Sequence, residues 1–177
     1  MVELREFEPA DGRLLATWVD GPVELWRWSG KNFSWPLDEQ QLAAYAAESA
    51  TPLRRSWMAV DPRDGRAVGH ASVRVDAAAA GGRLGRVLVA PEARGKGFGA
   101  AMVAGVLTRA FGELGLERVE LGVWDDNAAA VRLYEGLGFV CDHVLRDVTQ
   151  HAGRSWSAMQ MSMRRSSWEA GASSGLS

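Results

Sequence analysis

The chain has 177 residues, 47% of them hydrophobic and 24% charged, enough apolar material for one ordinary domain with a sizeable core. Twenty basic against 22 acidic residues leave a net charge of −2, which gives no electrostatic case for nucleic acid or an anionic membrane as a partner. A single cysteine, Cys141, excludes an internal disulfide and a multi-cysteine zinc site. No stretch reaches the ~20 apolar residues of a membrane span, and the N-terminal residues lack a signal peptide's apolar core. A cytoplasmic protein with no resident metal is the expectation.

Val2 to Phe7 reads as a first strand. Leu14, Leu15, Trp18 and Val19 share one face of a helix that follows Asp11. Asp38 is placed to cap a second helix, with Gln41 three positions on completing a capping box and Leu42, Tyr45 and Ala46 as its buried stripe. The segment between them, Gly21–Pro36, reads as a loop carrying Trp26, Trp28, Phe33 and Trp35. Trp57–Val60 and Ala67–Val75 are strands joined by the hairpin chemistry of Asp61, Pro62, Asp64 and Gly65. After a turn at Ala77–Gly82, Arg83–Val89 forms a fourth strand.

From Gly97 to Leu114 apolar residues recur at spacings of three and four, the clearest helical signal in the chain, closed by Gly115. Val119, Leu121 and Val123 alternate in a fifth strand. A shorter helix runs from Asn127 to Leu137 and stops at Gly138. Phe139–Val148 and Trp156–Met163 read as the last two strands. Residues 166–177 are rich in Ser, Gly and Ala and read as a peripheral tail to a single domain over 1–165. The order β-α-α-β-β-β-α-β-α-β-β is that of an α/β domain with a mixed sheet.

Between the fourth strand and the strongest helix stands Arg94-Gly95-Lys96-Gly97-Phe98-Gly99-Ala100. Its glycines let the backbone approach a ligand, the helix's first turn offers unpaired N–H groups, and Arg94 and Lys96 add positive charge. This chemistry suits a pyrophosphate. A plain helix start is the alternative for a glycine turn taken alone. Gly95, Gly97 and Ala100, with Glu117 beyond, also satisfy a dinucleotide fingerprint. That fingerprint wants its first glycine at the strand end, whereas Ala90–Arg94 intervene here.

The run Val87–Gly99 resembles the acyl-CoA signature of the GNAT superfamily of N-acetyltransferases, in which Arg or Gln, two residues, Gly, one residue, and Gly or Ala succeed one another. Arg94, Gly97 and Gly99 fill those places. Asn127–Phe139 resembles the family's second block, with Asn, Ala, Leu-Tyr and Gly-Phe in order. The resemblance covers Arg83–Phe139 in detail. It implies a three-layer α/β fold with a central, mostly antiparallel mixed sheet, splayed fourth and fifth strands, and flanking helices. It also implies acetyl-CoA as acyl donor. Leu88 and Val89 would pair with the pantetheine arm, residues Arg94 to Ala100 (Arg94, Gly95, Lys96, Gly97, Phe98, Gly99, Ala100) would hold the pyrophosphate, and Asn127 would sit near the arm.

The same resemblance puts the Tyr134 hydroxyl near the sulfur. A phenol, with a reference pKa of about 10 against about 8.5 for a thiol, would protonate the departing thiolate as general acid. The alternative is a core aromatic in a stripe with Val131 and Leu137; its place seven after Asn127, as the resemblance implies, favours the acid. Some relatives that modify protein N-termini carry a Glu where this chain has Gly122, so the base stays open among Glu120, His70, Asp125, Asp126 and water. The implied acceptor is a small-molecule amine. A protein or peptide acetyltransferase and a non-catalytic acyl-CoA sensor are the alternatives. The Trp-rich segment either lines the acceptor site or pins the chain to its core or a dimer surface. Many members dimerise through their last strands, and a homodimer is carried over on that resemblance alone.

Overall fold

The computed structural model describes residues Met1–Ser174. In chain order the elements are β1 (Glu3–Glu6), α1 (Asp11–Thr17), α2 (Pro22–Ser29), α3 (Glu39–Ser49), β2 (Arg54–Val60), β3 (Ala67–Asp76), β4 (Gly81–Val89), α4 (Phe98–Gly112), β5 (Arg118–Trp124), α5 (Ala128–Gly136), β6 (Val140–His151), β7 (Arg154–Arg164) and α6 (Arg165–Ser174). The strands follow the order β1-β2-β3-β4-β5-β7-β6, with β4 and β5 parallel. Among the described residues no helix is long and apolar enough to cross a membrane.

The chain forms two compact units, Met1–Val75 with Leu84–Val106, and Asp76–Arg83 with Leu107–Ser177. In the first, β1, β2 and β3 pair antiparallel, with Leu4 opposite Ala59 and Met58 opposite His70. Leu15, Leu25 and Tyr45 from the three leading helices are buried, as are Met102, Val103 and Val106 of α4. Gly69 sets one close approach. A Cβ there would stand 2.7 Å from Met102 Sδ and 3.1 Å from the Leu88 carbonyl oxygen.

In the second unit Gly81–Arg83 pair in parallel with Arg118–Glu120, and β5 pairs along its length with β7. Val119, Leu121 and Val123 point inward while Glu120 and Gly122 face out, the alternation of a strand with one covered face. β6 pairs with β7 in two stretches with register shifts between them, and Asp147 takes a left-handed φ of 49° in the second shift.

Two elements depart from the sequence reading. Gly21–Pro36 is not all loop: Pro22 at the first helical position, after Gly21 at φ 96°, starts α2, and buried Leu25 anchors it. The segment from Arg165 to Ser174, read as tail from 166 on, is helix α6, whose Trp168 ring lies 6.4 Å from that of Phe111. The last three residues of that tail lie outside the described residues. The capping box at α3 is half formed. Asp38 accepts from the Gln41 N–H at 2.9 Å. The Gln41 side chain turns outward instead, accepting from Ser34 N and donating to Ser34 O and Pro36 O. It ties down the end of the Trp-rich segment.

Candidate active site

In the first unit β4 ends where the Ala90 N–H donates to Val68 O, and a 3₁₀ turn over Pro91–Ala93 carries the chain onward. Leu88 is buried and Val89 half-buried at this strand end. Gly95 and Gly97 then take left-handed φ values of 73° and 81°, and a Cβ at either would meet nothing within 4 Å. The glycines are therefore demanded by backbone conformation, and the turn they build is open. The Ala101 N–H, bonded to Gly97 O, begins the helical ladder of α4. The N–H groups of Phe98, Gly99 and Ala100 precede it at the positive end of a 15-residue helix. Arg94 and Lys96 are exposed on the same turn. Phe98 is half-buried, with the Arg63 guanidinium 6.0 Å from its ring centroid.

The residues from Leu88 to Ala100 singled out in the sequence thus lie on one strand end, one turn and the first turn of α4. Arg94 does more than supply charge: its Nε donates to the Val89 carbonyl at 3.3 Å. That carbonyl keeps a second lone pair for a ligand's amide. The donor set, the leading N–H groups of α4 beside two exposed cations, fits a diphosphate.

In the second unit Asn127 and Tyr134 both belong to α5. Asn127 is its N-cap, Oδ1 accepting from the Ala130 N–H at 3.2 Å while its own N–H donates to Trp124 O. Any ligand contact by Asn127 therefore shares an oxygen already used for capping, or uses the amide nitrogen. Tyr134 is buried, its ring edge-on to Phe139 at 5.7 Å. Burial pushes the phenol above its ordinary range, so it stays protonated across the physiological span. Gly138 at φ 96°, its N–H bonded to Glu135 O, turns the chain from α5 into β6.

The candidate bases fare unequally. His70 is fully buried, and burial, followed by the charge of Arg86, holds its conjugate acid at about 3. Its Nε2 shares a 2.7 Å hydrogen bond with the Tyr45 hydroxyl. Such an imidazole is a poor proton acceptor from an ammonium. Glu120 pairs with Arg118 at 3.0 Å, Asp125 with Arg146 at 3.8 Å and Asp126 with Arg154 at 2.5 Å. At Gly122, Arg83 Nη2 fills the space beside the backbone and donates to Gln160 at 3.0 Å.

The Trp-rich segment is folded onto its own unit. Trp28 stacks on Phe33 at 5.5 Å, and Phe33 lies edge-on to Tyr45 at 5.7 Å. Trp35 alone of its tryptophans is largely exposed, at 49%. Arg86, which the sequence reading passed over, joins this cluster. Its φ of 52° is left-handed within β4, and its guanidinium carbon lies 4.3 Å from the Tyr45 ring centroid and 5.1 Å from that of Phe33. The preceding Gly85 was the available signal, since glycine inside a strand marks a bulge.

The fold and site now bear comparison with known proteins. The chain is 34% identical to a mycothiol acetyltransferase of Thermobispora bispora, over 78% of this chain and 46% of that one. It is 40% identical to a spermidine N(1)-acetyltransferase of Vibrio cholerae over 31% of this chain and 32% of the relative. The chain thus spans about half or less of the length of the curated relatives it matches. A solved spermidine N-acetyltransferase from Vibrio cholerae, in complex with CoA and spermine, superposes with a TM-score of 0.82 at 22% identity, over 95% of this chain and 98% of that one. A model of the acetyltransferase (GNAT) family matches residues 22–139, more than half of the sequence and inclusive of both the glycine turn and α5. On that match, the chain belongs to the acetyltransferase (GNAT) family.

Proposed function

We propose that the protein transfers an acetyl group from acetyl-CoA to a primary amine of a small molecule. The observation that carries the donor half is the turn from Arg94 to Ala100, where two left-handed glycines lead into the first N–H groups of α4 beside two exposed cations. It would hold the diphosphate, with the strand end at Leu88 and Val89 available to the pantetheine arm. Acetyl-CoA supplies an activated thioester when bound. The names of the relatives, a mycothiol and a spermidine acetyltransferase, support a small-molecule acceptor.

In this reading the amine attacks the thioester carbonyl, a C–N bond forms and the C–S bond breaks. Tyr134 donates its phenolic proton to the departing sulfur and recovers one from solvent. Its burial keeps that proton in place until the sulfur needs it. A backbone N–H near Val89 would stabilise the developing oxyanion. The amine's proton leaves through water, because Glu120, Asp125 and Asp126 are each held in an ion pair. Release of free thiol from acetyl-CoA on addition of an amine tests the reading.

A homodimer belongs to the same proposal. β6 is the outermost strand and exposes Val140, Leu145 and Val148, a surface suited to a second copy. Sedimentation of the wild type against Val140→Lys decides it: a dimer converted to monomer supports the surface. A cytoplasmic location rests on the family reading alone.

A further inference from the structure

The first unit holds a charge imbalance that the reaction above leaves unused. Arg54 Nε lies 2.9 Å from Glu48 Oε1, and Arg86 Nη1 lies 3.3 Å from Glu48 Oε2. Both arginine side chains are only 10% exposed, whereas the Glu48 side chain is 44% exposed. Partial burial pushes the Glu48 carboxyl up, but Arg54 and then Arg86 outweigh it, so the carboxylate is firmly ionised. Both of its oxygens are committed. Two guanidiniums therefore face one carboxylate, and His70 behind them is neutral at physiological pH.

The surroundings make this surplus positive charge effective. Arg54 donates to Ser72 Oγ at 3.1 Å, which fixes its plane. The Arg86 guanidinium packs against the Tyr45 and Phe33 rings, a setting with little water to compete for it. Its backbone is held left-handed, an arrangement that persists only where the surroundings impose it and that gathers at ligand sites. Trp28 packs on the same Phe33 ring. Its Nε1–H is buried and makes no hydrogen bond among the described residues, a donor lacking its acceptor. An acceptor-only anion answers both features. A polyamine answers neither, since Glu48 is already shared by two arginines and Asp11 is paired with Arg5.

We infer that Arg86 is a specificity-determining residue that reads a carboxylate on the acceptor, so that the substrate is an amine that also carries an acid group. This rests on the acetyltransferase reading above. The solved Vibrio cholerae spermidine N-acetyltransferase is in complex with spermine, and the inference sets this chain apart from it in substrate class.

The test uses matched acceptors that differ only in the carboxylate: phenylalanine against phenethylamine, tryptophan against tryptamine and lysine against cadaverine, with spermidine added. Thiol release gives kcat and KM for each. A carboxylate held by a buried guanidinium is expected to favour the acid-bearing member by about 10- to 100-fold in kcat/KM, mostly through KM. Arg86→Gln should bring that ratio toward one, and Arg86→Lys, which keeps charge but loses the planar fork, should fall between. Spermidine as best acceptor, or a ratio that Arg86→Gln leaves unchanged, overturns the inference.

A binding arm separates this from failure of the catalytic reading. Phenylpropionate should quench the fluorescence of the Trp28 region saturably in the wild type and not in Arg86→Gln. If no amine releases thiol, the acetyltransferase reading fails. Quenching lost in Arg86→Gln still supports the anion site, whereas no quenching in the wild type overturns it.

Discussion

Arg83 Nη2 lies 2.7 Å from the point where a Cβ on Gly122 would stand, and the same guanidinium donates to Gln160. The bare backbone at 122 is thus the floor on which an arginine lies. Because the obstructing atom is the far end of a flexible side chain, Gly122→Ala should displace Arg83 at a cost below about 1 kcal/mol. Gly122→Glu should give no gain in turnover, since the new carboxylate pairs with Arg83. Urea melts and steady-state rates check this. A rate increase in Gly122→Glu would show that position 122 can still serve as a base.

His70 makes stability depend on pH in a defined direction. Its conjugate acid sits near 3 in the folded chain, through burial and then Arg86, against about 6.5 in an unfolded one. Above pH 6.5 both states are neutral and the group contributes no pH dependence. Below it the unfolded state binds a proton that the folded state refuses, so stability falls as pH falls, toward a floor near pH 3. Between pH 6.5 and 5 the loss is about 2 kcal/mol. The groups facing His70 include Tyr45, Phe7, Trp28, Arg86, Arg54 and Asp11, and of these the arginines oppose its protonation while Asp11 favours it. His70→Gln should flatten the slope over that interval in urea melts, even if it lowers stability at pH 8. An unaltered slope would contradict the assignment.

Gly97 tests the donor turn. At φ 81° an L-residue is strained although space is free, so Gly97→Ala should cost about 1–2 kcal/mol. The reshaped turn should also weaken CoA binding several-fold by calorimetry. Equal affinity for CoA in wild type and variant removes the turn from the diphosphate's contacts.

Much of this was legible from residues alone, and for physical reasons. Period-two alternation in Val119–Val123 and the spacing of Met102, Val103, Val106 and Leu107 report burial on one face, which the fold repeats. The glycines at 95 and 97 announce a backbone that other residues resist. What stayed hidden was non-local. The helix in Pro22–Ser29 is only eight residues long and owes its place to Leu25 and to the packing of Trp28 on Phe33. Arg86 reads as an ordinary strand residue, and nothing in the residue itself announces its left-handed backbone or its packing on Tyr45. Arg83 and Gln160 are 77 positions apart, a pairing that only the parallel β4–β5 and antiparallel β5–β7 registers bring together. Asn127, expected at a cofactor, spends its oxygen on capping α5, a local role its position before a helix also predicts.

Tyr134 separates chemistry from binding. Tyr134→Phe keeps the buried ring against Phe139 and removes only the proton, so CoA affinity should hold while kcat drops by about 10²- to 10⁴-fold. A comparable loss of CoA affinity would recast Tyr134 as a core residue.

Acetyl transfer itself is the claim on which the rest stands. Thiol release from acetyl-CoA, followed by mass analysis of the amine, measures it in one vessel. One acetylated amine per thiol, dependent on added acceptor and abolished without it, is the predicted result. Saturable CoA binding with no acceptor-dependent thiol across amino acids, polyamines and aromatic amines would contradict it and leave an acyl-CoA-binding module in its place.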